Sequence, residues 1–190
     1  MTDILSDTDK KELLKIAREA IIAAVNRQPL NKIELNGLSK NLQVDGACFV
    51  TLMINGRLRG CIGALEAYQP LALDVQEHVV AAALDDYRFP PVSADEVHLL
   101  NIEISWLTPT RWMDYSDSKD LMSKLRPGID GVLIKDGTRR ATFLPQVWDQ
   151  ISNREEFLSH LCTKMGARSN LWRQKHLEVF TYQVEEFKEG

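Results

Sequence analysis

The stretch Asn55-Gly56-Arg57-Leu58-Arg59-Gly60-Cys61-Ile62-Gly63 decides how the chain around it folds. Asn-Gly between two apolar runs is the strongest short-range hairpin signal, because a two-residue type I′ turn needs positive φ at both central positions. Ala47 to Ile54 and Arg57 to Ala64 therefore read as paired antiparallel strands. Side chains alternate along a regular strand, so Arg57, Arg59 and Cys61 are expected on one face and Leu58 and Ile62 on the other. Gly60 and Gly63 leave the return strand bare, which points to a bulge or to the close approach of a ligand or another backbone. A thiol beside guanidinium groups ionises more readily than a free cysteine, and the thiolate is both nucleophile and metal ligand. No histidine lies nearby in sequence to serve as base. From these residues alone the plainer account is the stronger one, a small buried cysteine with its arginines solvated or paired to carboxylates.

Outward from the hairpin the pattern is helix, strand and turn without low-complexity linkers. Ser6 or Asp7 can cap a helix to about Arg27, along which Leu13, Ala17, Ile21 and Ala24 recur on one face until Pro29 ends it. Pro70 opens a second helix through Leu84 with a buried stripe at Leu71, Val75, Val79 and Ala82. Phe89-Pro90-Pro91 is a rigid connector. His98 to Leu107 alternates, with Leu100, Ile102, Ile104 and Trp106 on one side and Asn101, Glu103 and Ser105 on the other. Ser116 to Leu125 reads as a short helix stopped by Pro127-Gly128. Gly131 to Lys135 and Thr138 to Phe143 flank Asp136-Gly137, a second expected type I′ turn. Pro145 starts a short helix, Glu155 to Met165 forms another with Gly166 as terminator, and Val179 to Phe187 closes the chain as one strand. Aligning the two hairpins matches Arg59 with Arg140 and Cys61 with Thr142. That is either an internal duplication of a hairpin-plus-helix unit or the product of shared turn chemistry.

At 190 residues the chain fits a single domain with two subregions, about 1–110 and 111–190. A hydrophobic share of 44% and a charged share of 26% are ordinary for a globular protein. Net charge is −4, so no electrostatic footprint points to nucleic acid. Cys48, Cys61 and Cys162 are odd in number and widely spaced, which does not resemble a disulfide framework and makes a reducing cytoplasm the simplest compartment. Met1 to Lys11 is polar and acidic, unlike a signal peptide, and Val79 to Leu84 is too short to cross a bilayer. The four histidines are scattered, with no pair at i, i+4 and no CxxC, so no metal is expected from standard zinc spacing. Walker, GxGxxG and GxSxG motifs are also absent from the sequence.

Leu58-Arg59-Gly60-Cys61-Ile62-Gly63 is followed in order by Asp86-Tyr87-Arg88-Phe89 with Pro91, Glu103-Ile104-Ser105-Trp106-Leu107, Pro127-Gly128-Ile129-Asp130-Gly131, Leu144-Pro145-Gln146-Val147 and Lys164-Met165-Gly166. With these blocks the chain resembles the AMMECR domain family, the protein A component of the AmmeMemoRadiSam system. The departures are Met165, where a small residue is common, and Ala141, where glycine is expected. The resemblance implies an α+β fold with a mainly antiparallel, curved, barrel-like sheet and an internal repeat, and it implies a Memo-like protein and a radical-SAM protein as partners. The family has no settled biochemical activity, so the resemblance bears more on fold than on chemistry.

Several constellations surround the hairpin. Asp86 and Arg88 sit on a stiff corner after a helix, where an Asp-x-Arg pair either binds an anion bidentately or fixes the corner as an ion pair. Glu103 and Ser105 are either a solvated strand face or, if that face lines a cleft with Arg59 and Cys61, part of an acid/base set. Gln146 can donate to a ligand from the start of a helix, or cap and pack. Two function classes follow. One is an enzyme or enzyme component acting on a small anionic ligand, with Cys61 as nucleophile or metal-linked thiol, Glu103 as base, and Arg59, Gly60, Gly63, Asp86, Arg88, Ser105 and Gln146 in the ligand site. The other is a non-catalytic binding or adaptor module for the partners that the resemblance implies. Convergence of Cys61, Arg59, Arg88 and Glu103 on one concave pocket would favour the enzyme.

Overall fold

The computed structural model describes residues 5–190, so the polar character expected of the first four residues lies outside the described residues. The chain forms two compact units. The first runs through Leu107 and regains Glu185–Gly190, and the second is Thr108–Val184.

In the first unit Ser6 caps helix α1 (Asp7–Val25) through a reciprocal capping box with Asp9. After a short α2 (Lys40–Gln43) come β1 (Asp45–Ile54), β2 (Arg57–Gly63), β3 (Gln69–Pro70), α3 (Leu71–Leu84), a 3-10 segment Ala94–Leu99 and β4 (Asn101–Leu107). The sheet order is β2-β1-β4-β9, where β9 (Val184–Lys188) is the last strand of the chain, and β3 pairs with the start of β1. α3 lies on β1 and β2, and α1 packs on α3. Strand alternation does the sorting. Cys48, Val50 and Leu52 of β1 and Ile102, Ile104 and Trp106 of β4 point into the core with the helices. Full burial of side chains such as Leu52 and Ile102 contributes about 1.5–3 kcal/mol each. Phe49, Thr51, Met53, Asn101, Glu103 and Ser105 face the other way and are half-buried.

The second unit holds β5 (Arg111–Trp112), α4 (Ser118–Lys124), β6 (Gly131–Asp136), β7 (Arg139–Phe143), a 3-10 segment Pro145–Asp149, α5 (Arg154–Lys164), α6 (Leu171–Gln174) and β8 (Glu178–Tyr182), in a sheet ordered β5-β8-β6-β7. Its core is centred on Phe157 stacked on Trp148 at 3.6 Å, with Trp172 fully buried. Trp112, by contrast, is exposed and meets Phe180 edge-on.

The α+β class and antiparallel pairing are as expected, but the strands form two open sheets, neither of which closes into a barrel. The single strand expected over Val179 to Phe187 is two strands in different sheets. They part at Gln183, whose N–H donates to Thr108 Oγ1 and whose carbonyl accepts from Thr108 N. Residues 98–100 belong to or follow the 3-10 segment instead of starting β4.

The two turns also differ. Ile54 pairs with Arg57 across Asn55 and Gly56, both at positive φ, as type I′ demands. In the second hairpin Asp136 pairs with Arg139, so Gly137 and Thr138 are central, and only Gly137 has positive φ. That excludes type I′ and matches type II′, with glycine first. A common plan is nevertheless present in both units: the first strand of each hairpin is central, flanked by its return strand and by a strand that arrives after a helical stretch (β2-β1-β4 and β7-β6-β8).

Candidate functional site

An unbroken hairpin from the Asn55-Gly56 turn would continue with Leu52 opposite Arg59 and Val50 opposite Cys61, turning the thiol into the core. The observed register slips by one residue. Met53 pairs with Leu58 but Leu52 pairs with Gly60, so Arg59 is the extra residue of a β-bulge. A one-residue slip exchanges the two faces of a strand. Cys61 consequently stands opposite Thr51 on the outer face, and the expected common face of Arg57, Arg59 and Cys61 does not exist. Gly60 and Ile62 face the core, while Leu58, Cys61 and Gly63 face outward with Met53, Thr51 and Phe49. The bulge also removes the match of Arg59 with Arg140. Counted from the paired turn residues, Arg140 corresponds to Leu58, while Cys61 and Thr142 remain equivalent.

The arginine of the bulge is fully engaged. Arg59 Nε and Nη2 donate to Glu96 Oε1 and Oε2 at 2.8 and 3.1 Å, and Nη1 donates to Pro90 O at 2.9 Å. The Arg59 guanidinium, with the Ser93 N–H, holds the Glu96 carboxyl down at about 2. Arg59 is thus a tie between β2 and the Phe-Pro-Pro corner. Arg59→Lys keeps the charge and loses the planar fork, so we expect a loss of about 1–2 kcal/mol, a Tm lower by about 3–6 °C, with no change in the binding of small anions. An unchanged melting temperature would remove this role.

Asp86 and Arg88 complete the edge of the sheet. β2 is an edge strand, so the Cys61 N–H and C=O that turn away from β1 have no strand to meet. Asp86 Oδ2 accepts from Cys61 N at 2.8 Å, and Arg88 Nη2 donates to Cys61 O at 3.1 Å. Between themselves the two side chains form a fork, Arg88 Nε to Oδ1 at 2.9 Å and Nη2 to Oδ2 at 2.7 Å. Arg88 foremost, then the N–H groups of Cys61 and Arg88, hold the Asp86 carboxyl far below the usual carboxylate range against the opposing effect of burial. Since the polar backbone groups of Cys61 point away from β1, Thr51 and Cys61 form a non-hydrogen-bonded pair, the type with closer side chains. Thr51 Oγ1 indeed lies 3.3 Å from Cys61 Sγ, as a donor to sulfur.

The glycines set this up. A Cβ on Gly60 would stand 2.1 Å from Ala82 O, so only glycine lets the last turn of α3 run against β2 and deliver Asp86 two residues after its end. A Cβ on Gly63 would meet the Phe49 ring at 2.5 Å. The close approach expected at both positions is made by the chain's own atoms.

Glu103 lies opposite Thr51 on its other side, so Cys61, Thr51 and Glu103 form one cross-strand row of thiol, hydroxyl and carboxylate. Directly opposed Cβ atoms are about 4.5–5.5 Å apart. Ser105 stands in the next row beside Phe49. Gln146 belongs to the second unit, in the 3-10 segment. Lys164, in the last turn of α5, donates to Thr142 O at 2.9 Å and lies over the Phe143 ring. Thr51 escaped the sequence reading, because its partnership with Cys61 depends on the bulge.

A second cluster lies on the core face of the same sheet. Cys48, Asp74 and His78 are all buried, with donor atoms within 4.8 Å of one another. Histidine spacing alone gives no hint of it, since its members come from β1 and α3. At Cys48 the neighbour of β1 changes from β2 to β3, and Asp74 Oδ2 accepts the Cys48 N–H at 2.9 Å. Burial, then Asp74, pushes the Cys48 thiol well up.

A family model described as AMMECR1 matches residues 14–187. The chain is 36% identical over 149 residues to protein MJ0810 of Methanocaldococcus jannaschii, covering 75% of this chain and 72% of that protein. It is 34% identical over 185 residues to protein MK0488 of Methanopyrus kandleri, covering 93% and 86%. The crystal structure of the uncharacterized protein PH0010 from Pyrococcus horikoshii is similar with a TM-score of 0.76 and 29% identity, over 97% of this chain and 93% of that one. No helix among the described residues is long and apolar enough to cross a membrane.

Proposed function

The chain belongs to the AMMECR1 family, and from that premise we propose that it is an enzyme, or a component of one, that takes a small anionic ligand at Cys61. The observation that carries the reading is the bulge at Arg59, which turns the thiol outward beside Thr51 and into line with Glu103. In this reading Cys61 is the nucleophile, the Thr51 hydroxyl supports the thiolate, and Glu103 takes the proton. The Glu103 carboxylate has no partner among the described residues. Arg59 is withdrawn from the ligand by Glu96. Arg88 remains, because its Nη1 makes no hydrogen bond to a described residue while Nε and Nη2 are held by Asp86. Three free cysteines suit a reducing, cytoplasmic compartment.

Timed alkylation with mass-spectrometric mapping tests this. Cys61 is expected to label roughly ten times faster or more than Cys48 and Cys162, which are fully buried. Millimolar phosphate or acetate is expected to slow only Cys61, and Arg88→Lys to weaken that protection. Faster labelling of Cys48 or Cys162 would sink the reading. So would the absence of protection by any small anion, and the second reading would then take its place. That reading, an adaptor for a Memo-like or radical-SAM protein, is favoured by Tyr87, which is 94% exposed on the corner held rigid by the Asp86–Arg88 fork.

A further inference from the structure

We propose that Cys48, Asp74 and His78 bind a divalent transition metal, zinc foremost, on the core face of the first unit's sheet. Two polar atoms there are left over by the fold itself: Asp74 Oδ1 and His78 Nδ1 are buried without a hydrogen-bond partner. Buried polar groups are nearly always paired, and each orphan needs an explanation. A histidine–aspartate hydrogen bond explains only half of this pair. His78 Nδ1 lies 3.2 Å from Asp74 Oδ2, which already accepts the Cys48 N–H, and Oδ1 would stay orphaned even if that contact were a good one. One cation between Oδ1, Nδ1 and the Cys48 sulfur accounts for both.

The donor set selects the class of metal. Thiolate, imidazole and carboxylate are the ligands of zinc, and a thiolate disfavours magnesium and calcium. Charge agrees as well, because a dication with one thiolate, one carboxylate and a neutral imidazole forms a neutral centre, as burial requires. The framework is already rigid. Asp74 and His78 stand one turn apart on α3, and the Asp74–Cys48 hydrogen bond fixes β1 against that helix. Three protein ligands leave one position of a tetrahedron for an exogenous ligand. This centre is independent of Cys61, which lies on the opposite face of the sheet.

The test is titration of the whole, chelator-stripped chain with cobalt(II). One cobalt per chain is expected, with a near-ultraviolet thiolate-to-cobalt charge-transfer band that zinc abolishes by displacement. Cys48→Ser should remove that band, while Cys61→Ser and Cys162→Ser keep it. His78→Ala should weaken binding by more than roughly a hundredfold, a loss reached even by residues that only orient a ligand. Zinc at a hundredfold excess over its Kd should raise the parent Tm by about 5–10 °C. The parent's band decides the matter even if a variant fails to fold. Cobalt binding without the band, a band lost with Cys61 instead of Cys48, or no uptake at all, as for a cluster that holds only buried water, would overturn the proposal.

Discussion

Gly60→Ala is expected to unfold the protein at a much lower denaturant concentration than the parent, and Gly60→Val to leave little folded material. The added Cβ would stand 2.1 Å from Ala82 O and 3.1 Å from Ala82 C, both backbone atoms of α3. A flexible side chain could swing aside, but a helix carbonyl cannot. Either the last turn of α3 lifts from β2 or β2 leaves its register with β1, and each movement draws Asp86 away from Cys61 N. Overpacking ordinarily costs 1–3 kcal/mol, and a backbone obstacle puts this case at the upper end or beyond, about 3–5 kcal/mol. That is a large fraction of the 5–15 kcal/mol by which domains are stable. Urea denaturation of Gly60→Ala beside Gly37→Ala measures it, since a Cβ on Gly37 meets nothing within 4 Å. Equal midpoints for the two variants would refute the close approach.

What was legible in the sequence follows from the range of the interactions. Asn55-Gly56 announced its hairpin because a type I′ turn is settled within four residues, and both φ values are positive as required. The alternation from Ile102 to Trp106 announced which side of β4 is buried, because period two is local. Asp136-Gly137 misled for the opposite reason. The same dipeptide serves type I′ or type II′ according to which residues pair, and pairing is decided by the whole strand. The continuous apolar pattern from Val179 to Phe187 likewise hid a change of sheet at Gln183, since each half alternates properly against its own partner.

The candidate site shows the same division. LRGCIG was recognisable as unusual, and bareness at Gly60 correctly implied a close approach, here of another backbone. Which way Cys61 faces was not readable, because one bulged residue inverts the answer, and the bare glycines that hinted at a bulge did not place it at Arg59. Arg59 and Arg88 looked alike in sequence. Asp86 engages Arg88 from two residues away, a local pairing that the Asp-x-Arg spacing already offered, whereas the pairing of Arg59 with Glu96 needs the corner after α3 to fold back on β2. Cys48 and Asp74 are brought together only by the packing of α3 on β1, so no spacing rule reaches them.

Asp86→Asn is expected to destabilise the protein by about 2–4 kcal/mol at neutral pH and to lose most of that effect in acid. The carboxylate is almost wholly buried and accepts from Cys61 N, Arg88 N and the Arg88 guanidinium, so the amide leaves part of this network unmet. The loss stays below that of a fully buried pair because the Arg88 side chain is 44% exposed and screened by solvent. The folded pKa of Asp86 is depressed, so its contribution is complete above the unfolded value near 4 and is lost as pH falls through the much lower folded value. Glu96, held at about 2 chiefly by Arg59, gives up its contribution over the window from about 4 to 2. Urea denaturation of parent and variant at pH values from neutral to about 2 should therefore show curves that stay parallel down to about pH 5 and then converge. A gap that persists undiminished in acid would mean that shape, not charge, decides the cost. Convergence would establish that ionised Asp86, together with Arg88, closes the edge of β2 at Cys61, and the same variant should then label faster at Cys61 as that edge frays.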